Sequence, residues 1–374
     1  MEAKEKSLIK YLEGTDQEFV IPVFQRRYDW RAEHCRRLWQ DLENVIQANF
    51  RSHFFGSIVS VVNHSPSRTE FLIIDGQQRI TTVSLLMAAI CNLVRSGELK
   101  DPNKLTVKIF DEYLINRFET DEDKTRLKLI DKDHEIFSRI VRNDLDEIPE
   151  QTNIFFRYDF FVSQLRQTRD RFTVEQIFQA IRNLFIVDIQ LKQGEDDPQL
   201  IFESLNSTGL ALSEADKIRN LVLMNLSHSL MSTYFTKYWQ KIENNTALSK
   251  NGVSDFVRDY LTIKLRRIPR ADRVYLEFKD YFSQTTGAED VLSELLTYSR
   301  YYKNILTATF TDVLVSKALV ALKKLENRVT YPFLMELFDI QQHGIINVDD
   351  LTKVLHAIEA YLFRRTICRF LQMR

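Results

Sequence analysis

Two spacings of apolar residues divide the first hundred positions. Over His34–Gln47, Leu38, Trp39, Leu42, Val45 and Ile46 recur at helical spacing, which predicts an amphipathic helix. Phe54–Val62 and Glu70–Ile74 read as two strands joined by a polar loop carrying Asn63, Ser65, Pro66 and Ser67. Ile80–Val94 is then a long apolar helix with Gly97 placed to stop it. Upstream, Ser7–Glu13 reads as a short helix. The apolar run Phe19–Phe24 contains Pro22, which suits a strand edge or strand end. Together these predict a small α/β unit.

From about residue 105 the pattern turns helical. Residues 117–149 carry both charge signs densely, with Asp121, Glu122 and Asp123 as the one acidic run, the pattern of a solvated loop and helix surface. Leu184–Leu191 breaks the helical text: it is β-branched and aromatic, and Gly194 and Pro198 bound it. Read as a strand returning to the first sheet, it makes 105–182 a helical insertion within one domain. After Ser213 every segment reads as helix: 214–231, 233–242, 253–266, 272–283, 288–305, 311–325, 329–341 and 348–371. The fold class expected is α+β, predominantly helical. A small α/β domain with its insertion spans 1–212, and an all-α domain spans 213–374.

Composition narrows the class. Nine glycines and seven prolines in 374 residues fall well below the average combined usage of about 12%. That scarcity excludes collagen-like and low-complexity chains and disfavours a turn-rich all-β fold. Twenty-six Phe and 44% hydrophobic residues exclude wholesale disorder. With a net charge of −1, no bulk basic field points to nucleic acid or membrane, so such contacts need local patches. Cys35, Cys91 and Cys368 are too few and too far apart for a disulfide framework or a zinc site. The charged start, Met-Glu-Ala-Lys-Glu-Lys, has no signal-peptide core, and polar residues interrupt the longest apolar stretch, so a cytoplasmic protein without membrane contact is expected.

The sharpest local signal is Phe71-Leu-Ile-Ile-Asp75-Gly76-Gln77-Gln78-Arg79-Ile80-Thr81-Thr82. A buried strand ends at Asp75, Gly76 permits a tight turn, and a long helix starts at once. Free N–H groups and the positive dipole end make such a start an anion site. Arg79 offers a planar fork for two phosphate oxygens, Gln77 and Gln78 offer amide donors, and the Thr81 and Thr82 hydroxyls can donate or hold a metal-bound water. Hydrogen bonds to a charged group contribute roughly 1.5–3 kcal/mol each, so two or three could give micromolar affinity. Asp75 would repel phosphate unless it faces a cation, a ribose hydroxyl or an attacking water. The alternative makes Asp75 a helix N-cap and Arg79 a surface residue of the first turn. The pattern is not a Walker A loop.

A second cluster is Ile21-Pro22-Val23-Phe24-Gln25-Arg26-Arg27-Tyr28-Asp29-Trp30-Arg31, with Arg36 and Arg37 close behind. Arginines interleaved with Tyr28 and Trp30 offer phosphate binding and base stacking together. Alternatively the segment is a corner in which Trp30 covers the core and the arginines are solvated.

The I-P-x-x-Q-R-x-Y-x-W stretch followed by D-G-Q-Q-R-x-T-T resembles the N-terminal module of GmrSD-type modification-dependent restriction systems, itself similar to the ParB and sulfiredoxin nucleotide-binding fold. Ile201-Phe202-Glu203-Ser204-Leu205-Asn206-Ser207-Thr208-Gly209, with Leu212, Ser213, Asp216, Lys217, Ile218 and Asn220 downstream, resembles a further family stretch, as does Arg364-Arg365-Thr-Ile-Cys368. The resemblance implies that the D-G-Q-Q-R turn binds and hydrolyses a nucleoside triphosphate with a divalent cation (Mg, Mn or Ca). Asp75, Gln78 and Arg79 would be its catalytic positions, and Gly76, Gln77, Thr81 and Thr82 would help to hold the nucleotide. Gln25 and Arg26 would line the opposite wall, Asn206 would close the cleft, and Asp75 would carry the metal. Asn206 also suits a plain turn, and Ser213-x-x-Asp216 before an apolar run is a helix capping box.

Many relatives carry a downstream H-N-H nuclease segment. Here His34, His53, His64, His134, His228, His343 and His356 are scattered without ligand spacing. The chain ends within a helical pattern, as if a further domain followed, and a nuclease is expected to be a separate or missing part. DNA is the other partner implied. Lys264, Arg266, Arg267, Arg270 and Arg273 around Pro269, and Lys323, Lys324 and Arg328, are either DNA-backbone contacts or solvated helix ends. Cys91, among Leu85, Leu86, Ala89, Ile90 and Val94, reads as core, which disfavours a sulfiredoxin-like reductase. A nucleotide-gated clamp without turnover needs the same cradle as the hydrolase.

Overall fold

The computed structural model describes all residues of the chain except 15, 49, 66–67, 118–123, 147, 149–151, 193–195, 197–200, 202–211, 225, 227, 286 and 373–374. The chain divides into two compact units, Met1–Leu205 and Asn206–Arg374.

The first unit is built on a six-stranded mixed sheet. Its strands are β1 (Glu2–Ser7), β2 (Gln17–Val20), β3 (His53–His64), β4 (Thr69–Asp75), β5 (Leu127–Lys128) and β6 (Leu184–Leu191). They lie in the order β1-β6-β3-β4-β2-β5. β3 and β4 pair antiparallel across the expected polar loop, and β6 returns parallel to β3. β2 runs parallel to β4 and ends at Val20, so Pro22 stands past the ladder, where its missing N–H costs nothing.

The helices of this unit are α1 (Leu8–Leu12), α2 (Ala32–Ala48), α3 (Gln77–Arg95), α4 (Leu105–Ile109), α5 (Asp131–Arg142), α6 (Asn153–Thr168) and α7 (Val174–Arg182). α3 is buried along nearly all its length, from Gln77 to Leu93 with only Arg79 half-buried. A helix apolar on every side must be enclosed on every side. α4, α5, α6 and the π-turn Phe110–Leu114 of the insertion pack against it. Each fully buried Leu, Ile or Val there contributes roughly 1.5–3 kcal/mol, so packing fixes where the helix begins.

Two strands run against the expectations. β1 is a true edge strand, pairing antiparallel with β6 from Glu2↔Gln190 to Ser7↔Phe185. Its Glu and Lys side chains are those that keep an open edge from pairing with other chains, so they carry no strand signature. The insertion is not wholly helical either, because β5 adds two residues beside β2. Arg126, just before β5, is 1% exposed. Its Nη1 donates to Leu12 O at 2.7 Å and to Glu112 O, and its Nε donates to Gln17 O at 3.0 Å. One guanidinium thus ties the end of α1, the start of β2 and the π-turn together, and burial draws its pKa down to about 10.

In the second unit every described element is helical: α8 (Glu214–Leu223), α9 (His228–Tyr234), α10 (Gln240–Thr246), α11 (Val253–Leu265), α12 (Val274–Ser283), α13 (Ala288–Thr307), α14 (Val313–Lys324), α15 (Tyr331–Gln342) and α16 (Val348–Gln372). The expected helix 214–231 stops at Leu223, and a π-turn, Phe235–Trp239, joins α9 to α10.

Candidate functional site

The corner between β4 and α3 is shaped by two glycines. Gly76 takes φ +96°, the left-handed region, and stands as the helix N-cap with no side chain capping the turn. A Cβ on it would lie 2.9 Å from Ile58 Cγ1 and 3.1 Å from the Ser57 carbonyl oxygen, so the corner sits directly on β3. Asp75 is therefore one residue too early to be the N-cap. Ile80 N–H makes the first backbone bond of α3, to Gly76 O at 3.1 Å. The N–H groups of Gln77, Gln78 and Arg79 precede it and have no acceptor within the helix.

The expected site residues take two different tasks. Gln25 Nε2 donates to Ile74 O at 2.7 Å, and Gln77 Nε2 donates to Gln25 Oε1 at 3.1 Å. Gln78 Oε1 accepts from the N–H groups of Asp29 (2.9 Å) and Trp30 (3.2 Å), and its Nε2 donates to Arg27 O at 3.3 Å. These three glutamines are buried and stitch residues 25–30 onto the corner. Thr81 Oγ1 donates to Gln77 O at 2.8 Å and Thr82 Oγ1 to Gln78 O at 2.7 Å. Tyr28 hydroxyl also meets Thr82 Oγ1 at 2.7 Å. The amides of Gln77 and Gln78 and the two threonine hydroxyls, expected to face phosphate, are instead bonded within the protein, because tertiary packing turns this face of α3 inward.

Asp75 and Arg79 differ. Their side chains are 27% and 26% exposed, with Arg79 Nη1 3.6 Å from Asp75 Oδ2. Arg79 Nη1 also donates to Ser57 O. Its guanidinium lies over Gly56, where a Cβ would stand 2.7 Å from Nε. Gly56 was not among the residues expected at the site. A lone glycine inside a strand signals a bulge or a close approach, and here it marks both. The pairing of β3 with β6 jumps from Phe54↔Phe185 to Gly56↔Ile186, leaving Phe55 as the extra residue.

Around the corner, Arg26 pairs with Asp29 at 3.6 Å and Arg27 with Asp131 at 3.8 Å. Trp30 packs partly against the core, stacks on His34 at 5.5 Å and meets Phe55 edge-on at 6.5 Å. Arg31, Arg36 and Arg37 are exposed. Asn206 lies outside the described residues. Asp216 forms the capping box with Ser213, each N–H donating to the other's side chain at 3.1 and 3.2 Å. Burial pushes the Cys91 thiol up to about 12 and the Cys35 thiol to about 11, so neither is poised as a thiolate.

Among the described residues no three His, Cys, Asp or Glu side chains converge on a metal site. Asp75 offers one partly open carboxylate, which fits a divalent ion only if phosphate oxygens and water supply its other ligands. In the second unit most of the basic cluster is paired: Lys264 with Glu294, Arg266 with Glu336 at 2.9 Å, Arg267 with Glu277, and Arg270 with Asp272 at 2.9 Å. That is the arrangement of a solvated helix end. No described helix is long and apolar enough to cross a membrane.

A strand–glycine–helix corner bearing an aspartate–arginine pair, on a six-stranded mixed sheet, makes the first unit an α/β module. The chain matches the family of the GmrSD restriction endonuclease N-terminal domain over residues 8–223, more than half its length. It belongs to that family and is a component of a GmrSD-like restriction system. A search of curated proteins gives no match.

Proposed function

We propose that the α/β unit binds a nucleoside triphosphate at the β4–α3 corner and hydrolyses it, and that the nucleotide state regulates restriction of modified DNA. The observation carrying this is the contrast at the corner itself. Gln25, Gln77, Gln78, Thr81 and Thr82 are bonded inward, while Asp75 and Arg79 stay partly open beside N–H groups without a helical acceptor. Fixed donors next to a guanidinium are what a phosphate tail needs.

In this reading the phosphates lie at the start of α3, with the N–H groups of Gln77, Gln78 and Arg79 toward their oxygens. Arg79 stabilises charge that builds on the terminal phosphate. Asp75 accepts a hydrogen bond from the attacking water. The oxygen of that water bonds to the terminal phosphorus, and the bond to the bridging oxygen breaks with its electron pair kept by the diphosphate. The water's proton passes by way of Asp75 to the phosphate products or solvent, and nucleoside diphosphate and phosphate leave. Asp75 would hold a divalent cation, which would supply charge neutralisation for the phosphates. Gln25, Gln77 and Gln78 are positioning residues that hold Arg26 and Trp30 at the rim. DNA and an H-N-H type nuclease, on a separate polypeptide or domain, are the partners that receive the signal.

One observation favours the alternative of a clamp without turnover. Gln78, an amide that could orient water, is instead bonded to Arg27, Asp29 and Trp30. Calorimetric titration with the four common ribonucleoside triphosphates, with phosphate release followed in Mg²⁺, Mn²⁺ or Ca²⁺, separates the readings. Binding with release supports the hydrolase, binding alone leaves the clamp, and no binding removes both.

A further inference from the structure

Gly56 has a φ of +123° and lies at the bulge where β3 shifts register against β6. Added side-chain atoms there would fall on the Arg79 guanidinium, 2.7 Å from Nε and 3.0 Å from Cζ. The next carbonyl, Ser57 O, accepts from Arg79 Nη1, and the same carbonyl abuts Gly76. The bulge therefore does two things at once. It clears a flat bed for the guanidinium and turns a carbonyl toward it, so that one edge of the fork is fixed and Asp75 sits 3.6 Å away.

We propose that Gly56 is a positioning residue of the phosphate site: the β3 bulge is the seat that aims the Arg79 fork at a bound polyphosphate. This rests on the nucleotide reading above. An unseated arginine on the first turn of a helix samples many rotamers, and ordering it on binding weakens affinity. The seat removes that cost in advance. A methyl at position 56 meets the Arg79 guanidinium, a flexible side-chain end, and also strains a backbone whose φ of +123° favours glycine; only the first of these two penalties depends on Arg79.

The test is a double-mutant cycle of Gly56→Ala and Arg79→Ala, read by calorimetric affinity for ATP, GTP, CTP and UTP with magnesium and by melting temperature. Gly56→Ala is expected to weaken binding by about tenfold or more, the scale of one charge-assisted hydrogen bond, and to cause no further loss when Arg79 is already alanine. Its melting penalty is expected to shrink in the Arg79→Ala background, where the steric conflict is gone and only the backbone strain at φ +123° remains. Wild-type affinity in Gly56→Ala, or an undiminished effect on binding or melting in the Arg79→Ala background, overturns the seat and leaves a glycine that serves only the backbone. Should Gly56→Ala not fold, a folded double variant supports the seat. If neither folds, Arg79→Lys, which keeps the charge but loses the seated fork, decides: about a tenfold loss of affinity supports the seat and wild-type affinity overturns it. If the wild type binds none of the four triphosphates, the nucleotide reading fails while the melting cycle still decides whether Gly56 seats Arg79.

Discussion

The start of α3 and the start of α8 both carry an aspartate in a motif that reads as either chemistry or capping, and the structure gives the two aspartates opposite surroundings. At α8, Ser213 and Asp216 satisfy each other's N–H groups, and Asp216 also pairs with Arg219 at 2.8 Å. Nothing there is left for a ligand to complete. At α3 the N-cap is a glycine without a side chain to offer, and Asp75 stands outside the helix facing Arg79. The difference teaches that the helix start alone is uninformative. What matters is whether the polar groups around it close on one another or are held half-open by buried neighbours.

The comparison breaks first at Arg79. Arg79→Ala should weaken triphosphate binding by one to two orders of magnitude, about 1.5–3 kcal/mol, with melting nearly unchanged. A large loss of stability with intact binding would place Arg79 with the capping residues instead. Next comes Gln78→Ala, which leaves the N–H groups of Asp29 and Trp30 without their buried acceptor and should cost about 1–3 kcal/mol in denaturant unfolding. Asp216→Ala should cost about 1 kcal/mol of stability by loss of the cap, and leave triphosphate affinity at the wild-type value. An affinity change there would erase the distinction between the two starts.

The last effect concerns a carboxylate that neither start uses. Burial pushes Asp259 on α11 up to about 7. A folded-state value above the unfolded one means that the native state holds the proton more tightly. Its contribution to stability is therefore full below the ordinary carboxyl range and declines as pH rises toward about 7. Unfolding midpoints of the wild type should fall across that window, and Asp259→Asn should flatten the fall.

Much of the frame was legible in the sequence because it rests on periodicity. α2, β3, β4, β6 and most helices after Ser213 emerge where expected, since each buries one face or one stripe. β1 was not legible: six residues rich in Glu and Lys become a strand only because β6 offers them an edge. β5 is too short to leave any pattern. At the corner, the succession of strand, Gly76 and helix was legible. The inward turn of Gln77, Gln78, Thr81 and Thr82 was not, because it depends on residues 25–30 folding back over α3 from some fifty positions away. Gly56 did leave a signal, a glycine between aromatic and β-branched neighbours, whose meaning appears only once Arg79 lies across it.

The envelopment of α3 carries a lesson for anyone wishing to trim this protein. Excising residues 105–182 looks attractive on a topology diagram, since β6 could be rejoined to the sheet by a short linker. Yet the excision would strip away α4, α5 and α6 and bare the apolar back of the helix that presents the corner. It would also remove Arg126 from the carbonyls it gathers. A minimal version of this module would self-associate, and the apparent appendage is as much a part of the smallest foldable piece as the sheet itself.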